Sequence, residues 1–168
     1  MSDKRWKVGL LGAGFIADSH AKAIQDLDNT SIVAVCDRAK EKAQGTAAKY
    51  GIPNVYEDLA DMLSSDVEVI HVLVPPDAHF AVTKQIIDAG KHVFLEKPMG
   101  VSSKECQELV DLAADKQVKL GVNHNFLFLP SYEKLRNDVN TGSTGKIDQL
   151  TLNWLYPLPL IQFGPYNN

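Results

Sequence analysis

The sequence predicts a doubly wound α/β domain, a parallel sheet with helices packed on both faces. Three observations carry that prediction. Short apolar runs rich in Val and Ile alternate with helix-length stretches, and the connections between them are short. The first two runs bracket a glycine turn, Gly12-Ala13-Gly14-Phe15-Ile16-Ala17, in the strand, turn, helix, strand order of a dinucleotide cradle. The second run ends in an acid, Asp37.

Taken in order, residues 6–11 form the first strand. The helix after the glycine turn covers 16–27, and Asp28-Asn29-Thr30 leads to a second strand at 31–36. Residues 39–50 make an alanine-rich helix that Gly51 stops. Pro53 keeps 52–56 extended, and 58–63 fits a short helix. The β-branched run 67–74 is the third main strand, ended by Pro75-Pro76. Asp77 is the expected N-cap of a helix reaching Ala89, with Gly90 as its stop. Residues 92–96 are the next strand. Ser102 or Ser103 caps a helix to about Lys116, and Ser102 with Glu105 has capping-box spacing. A last strand covers 118–122. There is no internal repeat beyond this alternation and no low-complexity segment.

These elements bound a domain at 1–122. From 123 the pattern changes to an apolar loop, a helix over 131–139 capped by Ser131, a glycine-bearing turn at 140–145 and an alternating strand over 147–156, with prolines beyond it. One helix and one strand cannot bury a second core. Residues 123–168 are therefore expected to be a crossover and the first pieces of an incomplete second domain. The chain is expected to be a fragment, or to have its last strand paired by another chain.

Composition narrows the partners. The formal net charge of -4 and the lack of a basic cluster interleaved with aromatics argue against nucleic acid and anionic membranes. No apolar run approaches membrane-spanning length, and Met1-Ser2-Asp3-Lys4-Arg5 runs straight into the first strand without a signal peptide. The two cysteines, Cys36 and Cys106, are too few for a disulfide framework, and no metal site is expected. The expected placement is cytoplasmic.

The chemistry of the glycine turn follows from its residues. Gly12 lets the chain turn sharply out of the strand, and Gly14, without a Cβ, lets a pyrophosphate approach the backbone. Ala17 is small enough for close helix–strand packing. The helix opening near Phe15 and Ile16 points free N–H groups and its positive dipole end at the phosphates. Asp37 stands about 20 residues on, where an acid accepts hydrogen bonds from the adenosine ribose and disfavours a 2′-phosphate, so NAD is preferred over NADP. Arg38 can stack on adenine or reach a 2′-phosphate, which keeps NADP open. The competing readings are a glycine turn that packs an ordinary βαβ unit, and another nucleotide ligand such as S-adenosylmethionine.

Glu96-Lys97-Pro98 follows the 92–96 strand, at the strand ends where open parallel sheets bind ligands. A lysine there can hydrogen-bond a substrate hydroxyl and stabilise the alkoxide as hydride leaves carbon, with Glu96 holding the ammonium. A solvated loop lysine is the alternative, and the Lys97–Pro98 bond is open to either isomer. The motifs Gly12-Ala13-Gly14-Phe15-Ile16-Ala17 with His20, Val72-Leu73-Val74-Pro75-Pro76-Asp77-Ala78-His79 and Ala89-Gly90-Lys91-His92-Val93-Phe94-Leu95-Glu96-Lys97-Pro98 resemble the successive signatures of the Gfo/Idh/MocA oxidoreductase family. The 121–126 and 142–147 segments are similar to its domain-crossing region.

That resemblance implies an NAD(P)-dependent enzyme passing hydride between nicotinamide and a sugar, inositol or related polyol. It implies a homo-oligomer assembled through the C-terminal domain of the intact protein. It makes Lys97 the active-site lysine, lays Pro75 and Pro76 along the cofactor with His79 nearby, and puts Glu96 near the nicotinamide ribose. Asn123 and His124 fall where family members line the substrate pocket. The bland alternatives are a capping role for His79, a solvent-facing His124 and a packing role for His20. Family members are considerably longer, and the Asp and His credited with acid–base catalysis would lie beyond Asn168. A dinucleotide-binding module without turnover therefore stands as the competing function, and a non-catalytic sensor is disfavoured by Lys97.

Overall fold

The computed structural model describes residues 4–151, 153 and 155. Residues up to His124 form one compact unit, and those from Asn125 form a second. In the first, six strands make one parallel sheet: β1 (Trp6–Leu11), β2 (Thr30–Cys36), β3 (Asn54–Tyr56), β4 (Val69–Val72), β5 (His92–Glu96) and β6 (Leu120–Asn123), in the order β3-β2-β1-β4-β5-β6. The helices are α1 (Ala17–Gln25), α2 (Lys40–Tyr50), α3 (Leu59–Leu63), α4 (His79–Asp88) and α5 (Ser103–Asp115).

Two apolar clusters sandwich the sheet. Because side chains alternate along a strand, Ile70, Val72, Val93 and Leu95 face one side and pack with Ile86 and Ile87 of α4 and Leu109 and Ala113 of α5. Val8, Leu10 and Val35 face the other and pack with Ala17, Ala21 and Ile24 of α1 and Ala43 and Ala47 of α2. The expected doubly wound sheet is present. Ala17 is 1% exposed, so the small side chain required where helix meets strand is in use.

Several local expectations change. Asp77 caps nothing. Pro76–Ala78 turns as a 3-10 segment, with the Ala78 amide bonded to the Pro75 carbonyl and the His79 amide to the Pro76 carbonyl, and α4 opens behind Ala78 with no side-chain cap. Ser102 does cap α5, its Oγ accepting from the Glu105 amide at 3.2 Å, but Glu105 returns the bond to the Val101 amide at 2.9 Å rather than to Ser102. Cys36 is buried and its thiol is pushed up to about 11, first by burial and then by the nearby carboxylates of Asp37, Asp58 and Asp61.

The second unit holds a 3-10 turn, Asn125–Phe128, and α6 (Pro130–Asn140). Ser131 is not the cap: Pro130 takes the first helical position, where its fixed φ suits the helix, so α6 opens one residue earlier behind Leu129. Residues 147–151 form no strand, since among the described residues no partner strand satisfies their backbone groups. The remainder of that expected strand, with Leu152, Trp154 and Tyr156, lies outside the described residues. Among the described residues, no helix is long and apolar enough to cross a membrane, and no cluster of three His, Cys, Asp or Glu suits a metal.

Candidate functional site

Strand order reverses between β1 and β4, and at their C-terminal ends the glycine turn leaves β1. Gly12 has φ +103°, and a Cβ there would lie 2.8 Å from the Leu73 backbone, so both conformation and the chain leaving β4 require glycine. Gly14 is different. It is exposed, and a Cβ would meet nothing within 4 Å, so no protein contact demands the missing side chain. Close approach of a ligand to the backbone does account for it. Beside it the amides of Gly14, Phe15 and Ile16 reach no acceptor among the described residues, and α1 opens without a side-chain cap. Three free donors at the positive end of a helix suit a phosphate anion. Phe15 is 84% exposed above this turn.

Asp37 sits at the tip of β2. Its Oδ2 accepts from the Ala13 amide at 2.8 Å and its Oδ1 from the Ala39 amide at 2.8 Å. The carboxylate thus fastens the glycine turn to the end of β2, a role not anticipated from sequence. Each oxygen retains a further lone pair able to accept a ribose hydroxyl. Arg38 is exposed beside it and makes no side-chain hydrogen bond or ion pair among the described residues.

Farther along the same sheet edge stand the ends of β4, β5 and β6. Pro75 is exposed and Pro76 opens the 3-10 turn. His79 neither caps a helix nor reaches solvent. It is 1% exposed, with Nδ1 2.6 Å from the Pro98 carbonyl and Nε2 2.9 Å from the Val74 carbonyl, stapling the segment after β4 to the segment after β5. Lys97 is exposed, its peptide to Pro98 is cis, and its ammonium meets no hydrogen-bond or ion-pair partner among the described residues. Glu96 does not hold that ammonium. Its Oε1 accepts from Asn123 Nδ2 at 2.6 Å and lies 2.9 Å from His20 Nε2. Burial raises the Glu96 pKa, but the bonds from Asn123 and His20 outweigh it and leave the group below the usual range. Asn123 is therefore turned to Glu96, and His124 is exposed with no side-chain hydrogen bond, ion pair or ring contact among the described residues.

Sequence reasoning gave His20 only a packing role and passed over His71. His20 Nδ1 lies 2.9 Å from His71 Nδ1, and His71, largely buried on β4, is pushed down to about 3 by burial and then by the neighbouring His20. The signal was present. A histidine inside the apolar run Val69-Ile70-His71-Val72 shares its sheet face with residues 94 and 96 by the two-residue strand period.

A 3-2-1-4-5-6 parallel sheet with a glycine turn at the reversal point and an acid at the tip of β2 defines a dinucleotide-binding domain of the Rossmann class. The chain belongs to the Gfo/Idh/MocA oxidoreductase family, whose NAD-binding Rossmann-fold profile matches residues 6–124. Inositol 2-dehydrogenase of Rhizobium meliloti is 29% identical over 146 residues, covering 87% of this chain and 44% of the relative. D-glucoside 3-dehydrogenase of Escherichia coli is 30% identical over 170 residues, covering 100% and 48%. The crystal structure of scyllo-inositol dehydrogenase from Lactobacillus casei, with bound NAD(H) and scyllo-inositol, matches with a TM-score of 0.80 at 25% identity, over 85% of this chain and 43% of that one. The chain spans less than half the length of these relatives.

Proposed function

We propose that this chain is the cofactor-binding part of an NAD-dependent oxidoreductase acting at a carbinol carbon of a sugar, inositol or related polyol. The observation that carries the reading is the shared sheet edge: the free amides of Gly14, Phe15 and Ile16, the Asp37 carboxylate and the unpaired Lys97 ammonium all lie at the C-terminal ends of parallel strands. Gly12 and Gly14 shape the phosphate turn, Phe15 and Ile16 offer amides, and Asp37 accepts from the adenosine ribose and disfavours a 2′-phosphate. Arg38 borders the adenine end. Pro75 and Pro76 wall the site, and His79 holds the segments on either side in place. When bound, the nicotinamide supplies a hydride acceptor or donor at C4.

Lys97 donates a hydrogen bond to the substrate oxygen and stabilises the negative charge that develops on it. Glu96, kept ionised, accepts from a ligand hydroxyl. Asn123 and His124 border the substrate end of the same edge. In the intact enzyme, Lys97→Ala is expected to lower kcat at least about a hundredfold while changing NAD affinity less than about threefold. Steady-state assays of NADH formation over a panel of inositols and sugars, beside NAD titrations, check this. Retained kcat would remove Lys97 from the chemistry. Turnover by the 168-residue chain itself would remove the alternative of a binding module without activity.

A further inference from the structure

Four polar side chains from four elements form one connected line inside the domain: His71 on β4, His20 on α1, Glu96 at the end of β5 and Asn123 at the end of β6. His20 and Glu96 are 6% and 14% exposed. Sequestering a carboxylate and two imidazoles is costly unless each is satisfied, so the line has a definite polarity. Glu96 as a carboxylate only accepts. Asn123 must therefore present its NH2, and His20 must carry its proton on Nε2. His20 Nδ1 then faces His71 Nδ1, and one of the two donates to the other. The Phe94 ring, centred 6.0 Å from His20 and 5.0 Å from His71, closes the apolar side.

The result is asymmetric at Glu96. Oε1 takes both bonds, from His20 and Asn123, while Oε2 bonds to no other side chain among the described residues. Glu96 directly precedes Lys97.

We propose that His20 is a positioning residue that acts through Glu96: with Asn123 it keeps that carboxylate ionised and oriented, leaving Oε2 to accept a hydroxyl of the bound dinucleotide or substrate, while His71 orients the His20 ring. The proposal rests on the cofactor reading above. It moves Asn123 from substrate contact to support, and gives His20 a task beyond packing. The titratable groups facing Glu96 are His20 from α1 and, through it, His71 from β4; the Lys97 backbone amide of its own segment also donates to the carboxylate. Removing His20 leaves burial as the largest influence on Glu96 and raises its pKa.

The test is calorimetric titration of NAD into the full chain, for wild type, His20→Ala, His20→Gln, Glu96→Gln and the His20→Ala/Glu96→Gln double variant, across a pH series, with melting curves for fold. The expected result is a loss of affinity of about tenfold in His20→Ala and in Glu96→Gln, with little further loss in the double variant. In His20→Ala the acid limb of NAD binding is expected to move to higher pH. His20→Gln, which keeps an N–H donor, recovers part of the affinity. If wild type binds NAD but His20→Ala leaves affinity and acid limb unchanged, or if the two losses add fully, the positioning role is overturned and the cofactor reading stands. If wild type binds no NAD, the cofactor reading itself falls and the proposal with it.

Discussion

An alanine Cβ at position 12 would press on the Leu73 backbone at 2.8 Å in a left-handed conformation, whereas one at position 14 would meet nothing within 4 Å. Gly12→Ala is therefore expected to destabilise the fold by at least about 2 kcal/mol. Gly14→Ala should stay within about 0.5 kcal/mol of wild type yet weaken NAD binding, as chemical denaturation and calorimetry would show. The sequence pattern already gives Gly12 the sharp turn and Gly14 the approach of a pyrophosphate; what it does not show is the Leu73 backbone that makes glycine a steric requirement at position 12. His71 adds a pH effect. Its pKa drops from 6.5 to about 3 through burial and then through His20, so the fold keeps it neutral while the unfolded chain takes up a proton. The unfolded state binds more protons below pH 6.5, so stability falls with acid across that window, by up to roughly 1.4 kcal/mol per pH unit. Glu96 is depressed instead, and its contribution, present above its unfolded value of 4.5, is lost at more acid pH as the folded pKa is passed. His71→Phe is expected to flatten the slope of unfolding free energy between pH 6.5 and 4.5. An unchanged slope would mean that His71 is already protonated in the native state.

At the scale of elements, strand and helix order is legible because periodicity and stop residues agree. Gly51 at φ +67° and Gly90 at φ +71° end α2 and close the turn after α4 as expected. Caps are less legible, since they depend on which amides remain free. Ser102 faces the Glu105 amide, and Ser102→Ala should cost about 1 kcal/mol in thermal or denaturant unfolding. Asp77→Ala should cost close to nothing by the same measure, because its carboxylate makes no capping bond to α4. The link from Asp37 to the Ala13 amide belongs to this scale too. It joins two segments far apart in sequence, which spacing alone does not reveal. The His20–Glu96 contact was hidden for the same reason: the two residues are 76 apart in sequence and meet only once α1 has packed on the sheet.

For the whole molecule, one sheet gathers the glycine turn, Asp37, His79, Glu96, Lys97 and Asn123 along the C-terminal edge of its strands, and the order reversal at β1 and β4 opens the crevice where such sheets bind ligands. Family membership agrees with that arrangement, and the fold was legible nearly in full from alternating runs and three motifs. The substrate was not, because a cofactor edge carries little information about which polyol is presented to it. The central claim is that this edge holds NAD through the glycine turn and Asp37. Competitive calorimetric titration of NAD and NADP into wild type and Asp37→Ser tests it most directly. The account predicts one NAD per chain, weaker NADP, and a loss of that preference in Asp37→Ser. Equal affinity for NAD in wild type and Asp37→Ser would contradict it.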